Sequence, residues 1–238
     1  AEGDLRADLS GTAITLTSGG IGFFVDAGPG ALTDVTLPFV NAMDFGADEE
    51  TRSFAAQVIN RGGALELDVA PGGSVGGGLG VSLRESGPDG VVIRNRGNIS
   101  RNFEFAEVPL IFRGADILDE LGVDDHLLAA VAVLGTGGAQ KDVTLENLSE
   151  GVITGRLLTE DGDDTFLNEG RWRFAGVPYS ELWSRFGGGD DELLNEGGIF
   201  NGFMVKLKGL ERLINAGGRI TGGVAVGSAE PGPDGVLI

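Results

Sequence analysis

Short runs in which apolar and polar residues alternate dominate the chain, and most of them end at glycine, proline or asparagine. Leu65, Leu67 and Val69, for example, alternate with Glu66 and Asp68, which is the period of a strand with one buried face. The chain contains 43 glycines without a G-X-Y period. About a dozen short strands with tight turns predict an all-β fold, an antiparallel β-sandwich or jelly roll with short helical insertions.

Two turn sequences predict hairpins within that sandwich. Residues 60–63 (NRGG) and 87–90 (GPDG) each separate two alternating runs, and Asn, Asp and Gly tolerate the backbone angles of tight turns. The second phrase recurs, as SGPDGVVI at 86–93 and PGPDGVLI at 231–238. Its flanks differ between the two copies, so the phrase predicts a turn and not a full tandem repeat. An architecture of two stacked sandwiches of similar design stays an open alternative.

Helical patterns interrupt the strands in two places. We expect helical insertions near 115–134 and near 179–195, with 127–134 readable either as a helix or as a buried strand. Residues 1–18 read as an alternating N-terminal strand without an adjacent hairpin partner, and 19–238 as the sandwich domain. The longest apolar stretch, 126–135, is far shorter than the roughly 20 residues that cross a bilayer, so no membrane span is expected.

The charge is strongly negative and arginine supplies nearly all the cations. The formal net charge is −19, and Lys141, Lys206 and Lys208 are the only lysines. An acidic surface poor in lysine is typical of proteins that work in concentrated salt, where a Debye length near 3 Å screens the self-repulsion. This composition predicts a halophilic source, and the lack of a basic patch disfavours nucleic acid as a partner.

Catalytic and redox motifs are missing from the sequence. The chain has no cysteine and one histidine, which excludes disulfides, thiolate chemistry and the usual zinc sites. No G-x-S-x-G elbow occurs. We therefore predict a protein that is not an enzyme, with no resident cofactor and no small-molecule substrate.

Two acidic stretches are candidate cation sites. EDGDDTFLNEG at 160–170 brings together Asp161, Asp163, Asp164 and Glu169, and GGGDDELLNEGG at 187–198 is similar but weaker. An EF-hand needs glycine at its sixth position, and Phe166 stands there when the loop is counted from Asp161. A looser Ca²⁺ or Na⁺ site is one interpretation of 160–170, and a solvated acidic turn is the other.

One segment resembles a known family of secreted proteins. In MDFGADEETRSFAAQVINRGGALELDVA, at 43–70, an acidic linker leads into Phe54, Val58 and Asn60, then a glycine turn and a second strand. This arrangement resembles the camelysin/TasA-like matrix proteins and their archaeal relatives, which are β-sandwiches. The resemblance implies an exported subunit that polymerises by donating its N-terminal strand to a neighbour's sheet.

The N-terminal alternation is compatible with such an assembly, because a free strand adds readily to an exposed sheet edge. Leu5, Leu9, Ile14 and Leu16 are the side chains that donation would bury. We therefore expect a structural, self-assembling subunit of an extracellular filament of a halophilic microbe, with copies of itself as partner. The alternative is a virion protein, a jelly-roll capsid or tail-tube subunit; a signal peptide upstream of Ala1 would favour the filament. Export would also open the sequons at Asn98 and Asn147 to glycosylation.

Overall fold

The computed structural model describes residues 5–8, 13–15, 23–27, 33–37, 39–41, 56–60, 62–100, 129–135, 138–173, 184–208, 210 and 212–227. Every regular element in these segments is a β-strand. The alternation seen in the sequence produces them directly. In β7 (Leu65–Val69), Leu65, Leu67 and Val69 are buried while the two acidic residues between them are partly exposed.

Sheet 1 contains eight strands that lie side by side in sequence order. Between most neighbours the chain forms two further strands, which belong to the other sheets. Its members are β1 (Leu5–Asp8), β4 (Thr33–Leu37), β7, β10 (Val91–Asn95), β13 (Val143–Asn147), β16 (Thr165–Asn168), β19 (Glu192–Glu196) and β21 (Arg212–Ala216).

Sheets 2 and 3 take up the two strands that follow each strand of sheet 1, and they meet in the long β20 (Ile199–Lys208). Sheet 2 contains β2 (Ala13–Thr15), β5 (Phe39–Asn41), β8 (Ser74–Gly76), β11 (Asn98–Ser100), β14 (Val152–Thr154) and β17 (Arg171–Arg173). Sheet 3 contains β3 (Phe23–Ala27), β6 (Ala56–Asn60), β9 (Leu79–Leu83), β12 (Ala129–Gly135), β15 (Arg156–Leu158) and β18 (Ser184–Arg185). The last strand, β22 (Arg219–Gly227), pairs with β20 along both halves.

These strands form a parallel β-solenoid. The chain visits sheets 1, 2 and 3 in turn and then begins the next layer, so each rung contributes one strand to every sheet. All pairings between the described strands are parallel, as between β10 and its neighbours β7 and β13. The prediction of an antiparallel sandwich or jelly roll is therefore wrong. Alternation reports that one face of a strand is buried, but it carries no information about which strand lies alongside or in which direction.

The two predicted hairpins are wrong for the same reason. Asn60 and the glycines after it form a turn, with Gly62 at φ 129° and Gly63 at φ 75°. That turn carries the chain from β6 in sheet 3 to β7 in sheet 1, and the two strands do not pair. The GPDG turn at 87–90 likewise joins β9 to β10 across sheets. The second GPDG phrase, at 232–235, lies outside the described residues.

The described parts of both predicted helical insertions contain strands and connecting turns and no helix. In the first, residues 129–134 belong to β12, which settles the helix-or-strand ambiguity of that run in favour of a buried strand. In the second, residues 184–185 form β18 and residues 192–195 belong to β19. Residues 115–128 and 179–183 lie outside the described part of the chain. The apolar runs are short, and hydrogen-bond partners on adjacent rungs hold them extended.

The main apolar core of the described residues runs between the three sheets, and Trp172 lies within it. Its ring is edge-on to Phe166, with centroids 4.7 Å apart, and tilted against Phe200 at 4.3 Å. The indole Nε1 donates to the carbonyl of Gly155 at 2.9 Å. Among the residues whose burial the structure describes, the largest fully buried side chains are Trp172, Phe166, Phe200, Leu65, Leu67, Leu79, Leu83, Ile93, Ile99, Ile153 and Leu157.

A ladder of asparagines runs along the corner between sheets 1 and 2, and each member is the last or the penultimate residue of a sheet 1 strand. The Nδ2 of each donates to the Oδ1 of the next, at 2.6–2.8 Å. The first four members are fully buried. The sequence separations are 52, 21, 27 and 20 residues. The members of this asparagine ladder are Asn95, Asn147, Asn168, Asn195 and Asn215.

Glycine is required beside the asparagine ladder, because each corner passes directly over the rung before it. A Cβ added at Gly198 would lie 2.6 Å from Nδ2 of Asn168 and closer still to the Asn168 carbonyl oxygen. The same crowding occurs at Gly151, Gly170 and Gly218. The pairing of an inward asparagine with a nearby glycine is therefore a packing unit of this fold.

Candidate functional site

The acidic stretches singled out in the sequence occupy the same corner of successive rungs. We call the three turns that lead into β13, β16 and β19, at 138–142, 160–164 and 187–191, the acidic turns. They stack because the sheet 1 strands that follow them are in register, with Thr144 beside Thr165 and Thr165 beside Glu192. One residue earlier, Val143, Asp164 and Asp191 form a buried column, which we call the inner column.

The outer aspartates, Asp142, Asp163 and Asp190, are exposed and link the rungs in one direction. Oδ1 of Asp142 accepts a hydrogen bond from the Asp163 amide at 3.0 Å, and Oδ1 of Asp163 accepts one from the Asp190 amide at 3.0 Å. Each carboxylate therefore caps an amide of the following rung. Such amides need a partner because the turns lie outside the strand ladders.

The inner column links the rungs in the opposite direction. Oδ1 of Asp164 accepts from the Val143 amide at 2.9 Å, and Oδ1 of Asp191 accepts from the Asp164 amide at 2.9 Å. Each of these carboxyls caps an amide of the preceding rung. The Asp163–Asp164 pair thus joins its rung to both neighbours, and Asp191 of the second Asp-Asp pair joins its rung to the preceding one.

Asp161 adds a further link at the surface of these turns. Its Oδ1 accepts from the Gly188 amide at 3.1 Å, and its Oδ2 accepts from Nε2 of Gln140 at 2.8 Å. Both oxygens are therefore engaged by groups on the two adjacent rungs.

The carboxyl of Asp164 is strongly perturbed by its surroundings. The residue is 3% exposed. Burial raises the pKa of the Asp164 carboxyl to about 7; Thr159 and the Val143 amide act against that rise, while the charges of Asp142 and Asp163 add to it. A carboxyl so placed holds a proton far more readily than an exposed aspartate.

The four predicted cation ligands do not converge. Asp161, Asp163 and Asp164 share one acidic turn, but Glu169 follows β16 at the far end of that strand. A four-residue strand separates the two groups by roughly 13 Å at about 3.3 Å per residue. Within the described segments, no three acidic, histidine or cysteine side chains are arranged so that they could hold a metal ion. A Ca²⁺ or Na⁺ site in this loop stays a prediction.

Two of the four predicted assembly residues, Leu5 and Ile14, fall in the first strands of the described chain. Leu5 lies in β1, which pairs with β4 of the same chain, and Ile14 lies in β2, which pairs with β5. Leu9 and Leu16 lie outside the described residues. The sequon at Asn147 is closed to glycosylation, because its side chain is fully buried in the asparagine ladder.

An open depression of about 390 Å³ adjoins the acidic turns on the sheet 3 side. Leu134, Leu158 and Phe186 form its apolar wall, and Glu160, Asp161 and Arg185 line its polar side. One of these polar side chains already has a structural hydrogen bond, since Oε2 of Glu160 accepts from the Gly135 amide at 2.7 Å.

Sequence reasoning missed the asparagine ladder. A signal for it exists, because an apolar residue, any residue, asparagine, any residue and glycine recur at 93–97, 166–170, 193–197 and 213–217. The unequal separations hide this repeat from a search at a fixed period.

The fold and the acidic turns define a parallel β-solenoid with an interlocked acidic corner. Comparison of this chain with protein-family models, curated proteins and solved structures found no match. In the described segments no helix is both long and apolar enough to cross a membrane.

Proposed function

We propose that the chain is a structural subunit of an extracellular filament of a halophilic microbe, in which copies of this chain associate with one another. The observation that supports this proposal most strongly is the triple connection between successive rungs. Strand ladders, the asparagine ladder and the acidic turns all join the rungs at 143, 164 and 191.

A solenoid whose rungs are joined by strand ladders in the sheets and by side-chain hydrogen bonds at two corners resists bending. Such resistance suits a mechanical role. Repeat proteins of this kind have contacts mostly between neighbouring rungs, so rigidity depends on the quality of each interface. The carboxylates of the acidic turns serve those interfaces by accepting backbone hydrogen bonds. The net charge of −19 keeps the surface hydrated at high salt, where repulsion between copies is screened.

We further propose that assembly proceeds by strand exchange at the first rung. β1 and β2 pair in this structure with β4 and β5 of their own chain. Donation to a neighbour would replace those contacts with equivalent ones in a second copy, which is the low-cost route of domain swapping.

The absence of cysteine allows a direct test of this exchange. Ala7 and Val35 are register partners in β1 and β4, so Ala7→Cys with Val35→Cys would tie the two strands together when oxidised. Electron microscopy and sedimentation in molar salt should show filaments of the wild type and of the reduced variant, but not of the oxidised variant. A matched control is Leu194→Cys with Ile214→Cys, register partners in β19 and β21, which should assemble in both states.

The two parts of the proposal fail separately. A wild-type chain that stays monomeric at every salt concentration would overturn the filament. Filaments that form equally well from the oxidised β1–β4 variant would overturn strand exchange and leave the filament standing.

A further inference from the structure

We propose that the outer face of sheet 2 binds the acidic turns of a copy of this chain in a neighbouring filament, so that filaments pack side by side into bundles. We call the outward arginines of that sheet, Arg171, Arg173 and Arg219, the arginine face. The contact rests on the proposed function, because it describes how copies that already form a filament meet those of the next one.

Sheet 2 differs from the rest of this acidic chain in its charge. Its described strands contain no acidic residue, although the whole chain has 36. In β17 the central Trp172 is buried and the arginine on either side of it is exposed. Arg171 lies beside Ile199, and Ile199 lies beside Arg219, which is also exposed. The strands of sheet 2 therefore present positive charge only.

These arginines are not neutralised within the described part of the chain. On sheet 1, by contrast, Arg94 forms ion pairs with Glu66 at 3.1 Å and with Glu146 at 2.9 Å. No ion pair joins any member of the arginine face to a described residue. A guanidinium group is suited to carboxylates, because its planar N–H groups match the two carboxylate oxygens. The free arginines thus favour a carboxylate-bearing partner from another molecule.

The outer aspartates of the acidic turns provide such carboxylates. Asp142 and Asp163 each use Oδ1 to accept an amide hydrogen bond. Within the described residues no hydrogen bond engages their Oδ2 atoms or the carboxylate of Asp190. All three side chains are exposed, so these oxygens can accept from a second copy without loss of a bond that holds the rungs together.

The spacing of the two surfaces agrees, because both follow the rung repeat. Adjacent strands lie about 4.8 Å apart, so residues two rungs apart are separated by about 9.6 Å. Arg171 and Arg219 are two rungs apart, and so are Asp142 and Asp190. Two parallel copies displaced by one rung therefore bring Arg171 opposite Asp142 and Arg219 opposite Asp190.

The two surfaces lie on opposite sides of the solenoid. The acidic turns form the corner at which sheet 3 passes into sheet 1, and in a three-sided solenoid that corner lies opposite sheet 2. A contact between unlike surfaces on opposite sides is heterologous and does not close on itself. Side-by-side packing of this kind continues from one filament to the next and produces a bundle.

Molar salt permits this contact and a filament strengthens it. The Debye length of about 3 Å at 1 M removes the long-range repulsion between copies but leaves part of the attraction between groups in direct contact. Exposed ion pairs contribute little one at a time, so single copies stay apart. A filament repeats the contact along its length, and many weak contacts then act together.

The test reverses one pair of charges and then exchanges them. Arg219→Asp, Asp190→Arg and the combined variant are assembled in molar salt with EDTA, and bundle width is measured by electron microscopy and sedimentation. Each single variant should form filaments, but the protein concentration needed for bundling should rise about tenfold, since an attraction is replaced by a repulsion. The combined variant keeps the net charge of −19 and should bundle like the wild type.

Two further samples make the test specific to this contact. Arg84→Asp is the matched control, because Arg84 is exposed in the turn between β9 and β10 and its replacement changes the net charge equally; it should bundle like the wild type. Filaments of Arg219→Asp and of Asp190→Arg, prepared separately and then mixed, should form pairs and no wider bundles, since each variant keeps one intact surface. Circular dichroism of every variant confirms that it is folded.

Four results would overturn the contact. Wild-type filaments that never bundle, or Arg219→Asp filaments that bundle at the wild-type concentration, would leave the filament standing and exclude this packing. Bundling that occurs only after alginate is added would show that the arginine face binds an acidic polysaccharide and not a second copy. A wild-type chain that forms no filament would exclude the filament and this contact together.

Discussion

The side-chain amide of Asn147 donates to the side-chain oxygen of Asn168 at 2.8 Å, although the two residues belong to different rungs and both are fully buried. The bond satisfies a polar group of each residue where water cannot reach. It also restricts how one rung is oriented over the next, because the Nδ2 of one asparagine has to point at the Oδ1 of the following one for the ladder to continue.

Asn168→Ala should be strongly destabilising, since it leaves Nδ2 of Asn147 and Oδ1 of Asn195 buried without partners. An orphaned buried polar group costs about 1–3 kcal/mol, so we expect a loss of roughly 2–5 kcal/mol in the free energy of unfolding. Denaturant titration measures it. Glu169→Ala, at the adjacent and partly exposed position, is the control and should change stability by less than about 1 kcal/mol. Equal losses of unfolding free energy in the two variants would contradict a stabilising contribution from the asparagine ladder.

Gly198→Ala should prevent the close approach of two rungs. The new methyl group would overlap the carbonyl and amide of Asn168, and the backbone there has to shift because neither group is flexible. Overpacking of this kind costs about 1–3 kcal/mol. Gly87→Ala is the matched control, as its Cβ would meet only Nζ of Lys141 at 4.0 Å. Thermal melts of both variants check the prediction, and it is wrong if Gly198→Ala melts with the wild type.

Trp172→Ala should remove the largest side chain of the core between sheets. It loses the ring contacts with Phe166 and Phe200 and leaves the Gly155 carbonyl without its indole donor. Large-to-small changes of buried aromatic residues cost about 3–5 kcal/mol. Arg171→Ala lies on the same strand with an exposed side chain and should be close to neutral. Unfolding monitored by circular dichroism distinguishes them; a loss under about 1 kcal/mol for Trp172→Ala would contradict this account of the core.

Lower salt should destabilise the fold, because the acidic side chains that give the net charge of −19 then repel one another over a longer range. The Debye length grows from about 3 Å at 1 M to about 10 Å at 0.1 M. We expect the melting temperature to fall steadily over that interval at pH 8. A melting temperature independent of salt would contradict the halophilic interpretation. Sodium chloride and potassium chloride at equal strength should give the same result if screening is the cause.

The amino-acid sequence by itself determined the class of local structure and much of the core. Alternation in runs such as 65–69 and 143–147 predicts strands, and those strands are present with the expected buried faces. Local sterics and side-chain burial suffice for that, since both depend on residues two positions apart.

Strand partners were decided by the tertiary structure alone. A turn such as NRGG at 60–63 is compatible both with a hairpin and with a corner between two sheets, and only the docking of β7 onto β4 and β10 selects the corner. The asparagine hydrogen bonds across 21 or 27 residues join different rungs, and the unequal separations hide them from a search at a fixed period.

The acidic corner shows the same division. Sequence reasoning found the aspartates at 161, 163 and 164 but read them as a surface loop or a cation site. Stacking one Asp-Asp pair on the next converts them into caps for backbone amides, and burial of Asp164 raises its pKa to about 7. Proximity of residues far apart in sequence creates that chemistry, because burial and the field of neighbouring charges exist only once the rungs are stacked.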